Sequence, residues 1–193
     1  MPPTVLRLAA FVLTACIILP AASSAAEKPS PAMKARIERG KYLVNLGGCE
    51  DCHSPKVMSP NGPVPHPTRA LSGHQAQLKT PPVPAGVLAP DKWMAMTTGD
   101  MTAWVGPWGI SYSANLTPDP ATGIGAWTEE MFIATLRKGK HLGTGRGILP
   151  PMPWMNYAKL TDDDLKSIFA FLKSLPPIAN AVPQPMPPMA GGH

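Results

Sequence analysis

Residues 39–53 read RGKYLVNLGGCEDCH. Cys49, Cys52 and His53 form the string C-x-x-C-H within it. Two thiols and an imidazole so close together can hold a zinc ion, cycle between dithiol and disulfide, or take a covalent haem. The surroundings decide between them. Upstream, Met33, Ile37, Leu43, Val44 and Leu46 recur near helical spacing, and Gly47-Gly48 ends the run. The pattern predicts a helix over residues 31–48 that leads directly into Cys49.

The chain opens MPPTVLRLAAFVLTACIILPAASSAAEK. Arg7 is the only charge before Glu27, residues 8–19 are almost wholly apolar, and small residues end at Ser24-Ala25-Ala26. A charged start, a short apolar run and a small-residue end predict a secretory signal peptide over residues 1–26, and so an exported, periplasmic protein. Two other outcomes would tether the chain to a membrane. One is an uncleaved leader, for which the apolar run is short. The other is lipidation at Cys16, since Leu13-Thr14-Ala15-Cys16 is lipobox-like, although the residues after Cys16 stay apolar. Cleavage is the preferred expectation. It removes Cys16 and leaves Cys49 and Cys52 as the mature cysteines. One pair so close in sequence is no disulfide framework, and a bridge across it would close too small a loop to stabilise much. The pair is therefore read as chemical.

A chain of 193 residues predicts one domain. Its net charge of +5, or +4 without Arg7, is too mild an excess for a nucleic-acid partner. Lys34, Arg36, Arg39, Lys41, Arg137, Lys138, Lys140 and Arg146 are spread along the chain. They read either as a solvated surface or as a weak steering patch for an acidic protein.

The mature region, residues 27–178, divides further. Residues 54–107 are rich in Pro and Gly without a long periodic segment, and Trp93, Trp104 and Trp108 lie in or beside their second half. A loop of that length is expected to be functional or packed, and the tryptophans could cover a flat apolar object. Further on, Thr128 caps a helix with Glu129 and Glu130 in its first turn. Met131, Phe132, Ile133 and Leu136 form its expected apolar face, and Gly139 closes it. Thr161 caps a second helix, in which Leu165, Ile168, Phe169, Leu172 and Leu175 keep helical spacing up to Pro176-Pro177. The Pro-rich tail, residues 179–193, reads as extended or disordered. No strand-rich segment stands out. The expected fold class is all-α, with about three core helices joined by long irregular loops.

A structural zinc site wants four Cys or His ligands, and this motif supplies at most three. A thioredoxin-like pair belongs at the start of a helix in a β-α-β setting, whereas here the helix comes first. Covalent haem fits best: each thiol reaches one vinyl group as a thioether, and His53 is directed at the iron. The sixth position then needs a ligand. Met152 lies in PPMPW, where flanking prolines stiffen the segment, and Met155 is its close rival. Met58, Met94, Met96 and Met101 remain open by spacing, Met131 is expected in the core, and His66, His74 and His141 are the imidazole alternatives. A thioether ligand raises the reduction potential and fills the site, which suits electron exchange rather than substrate binding.

These residues resemble a class I c-type cytochrome. RGKYLVNLGGCEDCH is similar to that family's first helix and haem attachment site, and PMPW followed by LTDDDLKSIFAFLKSLPP to its methionine loop and last helix. SYSANLTPDPATGIGAWTEEMFIATLRKGKH resembles segments in the cytochrome subunits of membrane-bound alcohol and aldehyde dehydrogenases. The resemblance spans about residues 34–178. It implies a class I cytochrome c fold around the haem, Gly40 packed against Phe169 or Phe171, and Met152 rather than Met155 on the iron. It also implies that Asn115 to Asp119 and Trp108 approach the haem propionates, although Asn115 to Asp119 also reads as turn chemistry alone. Gly106-Pro107 is expected to offer a carbonyl to His53. Those subunits carry several C-x-x-C-H motifs, whereas this chain carries one.

The expectation is an electron carrier, not an enzyme, with one covalent haem c per chain, His53 and Met152 as axial ligands, and a periplasmic dehydrogenase or terminal oxidase as partner. The alternative is a haem enzyme or gas or redox sensor with an open or displaceable sixth site.

Overall fold

The computed structural model describes residues 28–88 and 91–188. The predicted leader, with Cys16, and the end of the tail lie outside the described residues.

Helix α1 (Pro31–Leu46) begins where the Ser30 side chain accepts a hydrogen bond from the Met33 amide at 3.2 Å, with Pro at the start of the helix. Gly40, Leu43 and Val44 form its buried stripe. Helix α2 (Cys49–His53) follows after Gly47, and Gly48 adopts φ 63°, a left-handed turn that suits glycine. Helix α3 (Glu129–Lys138) is capped by Thr128, which accepts from the Met131 amide at 3.2 Å, and is closed by Gly139 at φ 61°. A short helix α4 (Trp154–Tyr157) precedes α5 (Asp162–Ser174), whose cap Thr161 accepts from the Asp164 amide at 3.1 Å.

Helices α1 and α5 form the main contact of the domain. At their crossing, a Cβ on Gly40 would overlap the Ser167 carbonyl and crowd the Phe171 Cβ. Of the two aromatics that the resemblance offered Gly40, Phe171 is the one it meets. The Gly40 hydrogen thus sets how close the two backbones lie. Leu43, Val44, Phe132, Leu136, Leu165, Ile168, Phe169 and Leu172 fill the core with Leu71 and Ile124. Complete burial of Leu165 alone is worth about 2 kcal/mol. At the rim, Arg39 pairs with Asp164 at 2.9 Å and Arg137 with Asp162 at 2.5 Å. These cations are therefore tied to the frame rather than free for steering. Met131, expected in the core, is 40 % exposed because α3 turns Phe132 and Leu136 inward instead.

The all-α expectation is overturned. The region read as loop, with the residues just after it, holds two antiparallel sheets. Strands β1 (Lys56–Ser59) and β2 (Gly62–Pro65) form a hairpin in register Lys56↔Pro65 to Ser59↔Gly62. Strands β3 (Met96–Thr97), β4 (Ala103–Gly106) and β5 (Gly109–Tyr112) make the second sheet in that order. β4 and β5 pair from Ala103↔Tyr112 to Gly106↔Gly109, and Gly109 turns at φ 91°. Strands this short leave no readable alternation. Their prolines, as in GPVP, look like loop chemistry but are tolerated at a sheet edge.

The described part of the tail, residues 179–188, is extended and packed. The Ile110 and Met186 amides each donate to the other's carbonyl at 2.9 Å, which covers part of the β5 edge. Asn180, 5 % exposed, donates to the Ser72 and His74 carbonyls at 2.7 and 2.8 Å and accepts from the Ala76 amide at 3.0 Å.

Candidate functional site

Helix α2 is too short to hold itself in place by its own hydrogen bonds. Its far end is held by Lys56, whose ammonium donates to the carbonyls of Glu50, Asp51 and Ser54 at 2.7, 3.1 and 2.6 Å. A cation at a helix C-terminus meets its unpaired carbonyls and its dipole. Burial lowers the Lys56 pKa, and Asp51 opposes that shift. Ser54, fully buried, accepts from the Leu71 amide at 2.8 Å and ties the segment after the motif to the core.

Cys49 and Cys52 are both free thiols. Cys49 packs against the apolar core cluster. Burial pushes its pKa up to about 11, and burial with Asp51 raises that of Cys52. Protonated thiols of this kind lack the lowered pKa that dithiol redox proteins use. Among the described residues, no three His, Cys, Asp or Glu side chains gather as a metal-binding cluster.

His53 Nδ1 lies 2.8 Å from the Ala114 carbonyl. A carbonyl only accepts, so Nδ1 carries the hydrogen and Nε2 keeps its lone pair. Burial lowers the His53 pKa and so favours this neutral, ligating form, although Ala114 partly opposes it. The expected partner, Gly106-Pro107, does not fill this role. Gly106 instead ends β4, where a Cβ would collide with the Trp108 ring. The His53 carbonyl accepts from the Gly73 amide at 2.7 Å, so the residue is held at both backbone and ring.

Met152 is partly buried against the same apolar cluster as Cys49, together with Leu116, Trp127, Tyr157 and Leu160. Met155 is 59 % exposed, Met58 81 % and Met94 76 %. Met96 lies in β3 opposite Val105, and Met101 sits at a turn with φ 59°. Of the imidazole alternatives, His66 and His74 make hydrogen bonds through Nδ1 and His141 packs against an aromatic ring. The His66 Nδ1 accepts from the Thr68 amide at 3.3 Å. His74, 2 % exposed, meets the Thr102 hydroxyl at 2.8 Å, and that hydroxyl donates to Asp100 at 2.7 Å. His141 stands edge-on to Trp127, with ring centroids 5.2 Å apart.

The Asn115 to Asp119 stretch is built as a turn. The buried Asn115 side chain accepts from the Thr117 amide and hydroxyl at 3.0 and 2.7 Å and donates to the Ile178 carbonyl at 2.8 Å. Asp119 accepts from the Thr122 amide and hydroxyl at 2.7 and 2.6 Å, and these bonds hold its carboxyl below the usual range. Trp108 donates from Nε1 to Ser111 Oγ at 3.2 Å.

A covalently bound haem suits this donor set: two free thiols, a neutral imidazole with its Nε2 lone pair free, and a thioether. Cys49 and Met152 share one apolar border. Lys56, Ser54 and Ala114 support the set and were not picked out in the sequence. A basic residue just past a helix end is a readable signal for Lys56, whereas a backbone carbonyl such as that of Ala114 leaves none.

No family model matches the chain. It is 32 % identical over 168 residues to the cytochrome c subunit of the quinone-dependent alcohol dehydrogenase of Gluconobacter oxydans strain 621H, covering 86 % of this chain and 27 % of that one. It is 29 % identical over 167 residues to the gluconate 2-dehydrogenase cytochrome c subunit of Pantoea cypripedii, covering 86 % and 29 %. It is 30 % identical over 169 residues to the fructose dehydrogenase cytochrome subunit of Gluconobacter japonicus, covering 86 % and 27 %. The chain thus spans under a third of the length of these three relatives.

Proposed function

We propose, for a chain whose relatives mark most of it as a cytochrome c domain, that it is an exported electron carrier holding one haem c. Cys49 and Cys52 would hold the group through thioethers, and His53 Nε2 and Met152 would be its axial ligands. One C-x-x-C-H in the sequence supports one haem per chain. When bound, the group supplies a reversible one-electron ferric–ferrous couple. The protein supplies the rest. Ala114 fixes the His53 ring, Lys56 fixes the helix that carries the thiols, and the apolar cluster keeps water from the Met152 side. A filled sixth position suits electron transfer over ligand binding.

The observation that carries this reading is the His53 Nδ1–Ala114 contact of 2.8 Å, beside two free thiols, of which Cys49 packs on the same core cluster as Met152. The relatives are subunits of dehydrogenases, which supports a dehydrogenase as electron donor for this chain too. The leader supports export to the periplasm. The test is the protein purified from a host that matures c-type cytochromes. Its mass should exceed that of the leader-free chain by one haem, and pyridine haemochrome analysis should give about one haem per chain. The oxidised protein should show the methionine-to-iron charge-transfer band and lose it in Met152→Ala. No covalent haem, or a high-spin ferric spectrum, overturns the reading.

A further inference from the structure

The segment that carries Met152 is anchored on both sides by side chains from distant parts of the chain. Before it, Ser111 on β5 donates from Oγ to the Pro150 carbonyl at 2.6 Å. The direction of that bond is fixed chemically. Trp108 Nε1 is a donor only, so the Ser111 oxygen accepts from it at 3.2 Å and turns its own hydrogen toward Pro150. Ser111 is 7 % exposed, so water competes poorly for this bond. After Met152, Tyr157 donates from its hydroxyl to the Gly47 carbonyl at 2.5 Å, across 110 residues of sequence. Gly47 lies just before Gly48 and Cys49, and the Tyr157 ring would meet a Cβ on it at 3.1 Å. One anchor therefore joins the methionine segment to the second sheet. The other joins it to the turn that presents the thiols.

We propose that Ser111, oriented by Trp108, and Tyr157 are positioning residues that hold Met152 in its ligating place; this rests on the His53/Met152 reading above. A thioether is a weak ligand, and an incoming base competes with it whenever its segment swings out. A hydrogen bond made only in the closed arrangement biases that equilibrium by its own net worth. Removing either anchor raises the open fraction, and with it the apparent affinity for an external ligand, roughly threefold to tenfold. Neither residue is among Cys49, Cys52, His53 and Met152, the residues that would hold the haem, so haem content is expected to stay unchanged in their variants.

The experiment is imidazole titration of the ferric holoprotein, followed by loss of the methionine charge-transfer band, in wild type, Ser111→Ala, Tyr157→Phe and Asn180→Ala. Asn180 is a buried anchor of the tail, remote in its contacts from the methionine segment, and serves as a control for general softening. Ser111→Ala and Tyr157→Phe should bind imidazole more tightly at unchanged haem content, and Ser111→Thr should recover most of the wild-type value. Asn180→Ala should unfold more easily but bind imidazole like wild type. Unchanged imidazole affinity in both anchor variants overturns the proposal and leaves the ligand assignment standing. So does an equal rise in Asn180→Ala. A wild type without the charge-transfer band overturns the ligand assignment itself. If Ser111→Ala gives no folded protein, Tyr157→Phe, which keeps the ring, decides alone.

Discussion

The helical frame and the inserted sheets obey different rules. In the frame, α1, α3 and α5 each bury a stripe of apolar residues and each begins at a Ser or Thr cap. Local pattern and tertiary packing agree there. In the insert, β4 and β5 are four residues each, and their buried positions include Gly106, Gly109 and Ser111. Nothing in such residues announces a core. The insert is held by named hydrogen bonds, to Pro150 through Ser111 and to the tail through Ile110 and Met186. The contrast implies that the frame fails by overlap of volumes and the insert by loss of single polar contacts.

The largest effect is expected in the frame. Gly40→Ala places a methyl group into the Ser167 backbone, which cannot move without parting α1 from α5. A loss of about 3 kcal/mol or more is expected in urea unfolding, or failure to fold. A near-neutral result would mean that the helices do not cross as described. Next comes the link between insert and tail. Asn180→Ala removes acceptors or donors for Ser72, His74 and Ala76 and should cost about 2 kcal/mol in the same assay. Lys56→Met takes the cation from the end of α2 and should cost about 1 kcal/mol, read as a modest fall in Tm. Met58→Ser, on an 81 % exposed strand position, should stay within about 0.5 kcal/mol.

The insert should also carry an acid sensitivity through His74. Burial lowers the His74 pKa in the folded protein, with Asp100 opposing. Between that lowered value and the ordinary value near 6.5, the unfolded chain binds the extra proton. Stability should therefore be full above the ordinary value and fall as the pH drops below it. Denaturant midpoints measured from pH 7.5 to 5 should show this fall, and His74→Gln should flatten it. An equal fall in the variant would assign the effect to another group, such as His141, whose pKa burial also lowers.

The sequence by itself determined the C-x-x-C-H group, the caps at Thr128 and Thr161, the turn at Gly47-Gly48 and the core stripe of α5, but of the apolar run in α1 only Leu43 and Val44 are buried, while Met33 and Leu46 are exposed. Each of the features it determined is written within a few residues of chain, where spacing and side-chain chemistry suffice. It also put Met152, with Met155 as its rival, ahead of the other candidate sixth ligands, whereas their unequal exposure is a tertiary fact. Only the tertiary structure showed that Ala114 holds His53, that Ser111 and Tyr157 meet the methionine segment, and that the Pro-rich region forms sheets. Those features depend on backbone carbonyls and on pairings between distant segments. A carbonyl is the same at every residue, so no sequence pattern marks the one that a folded chain will use.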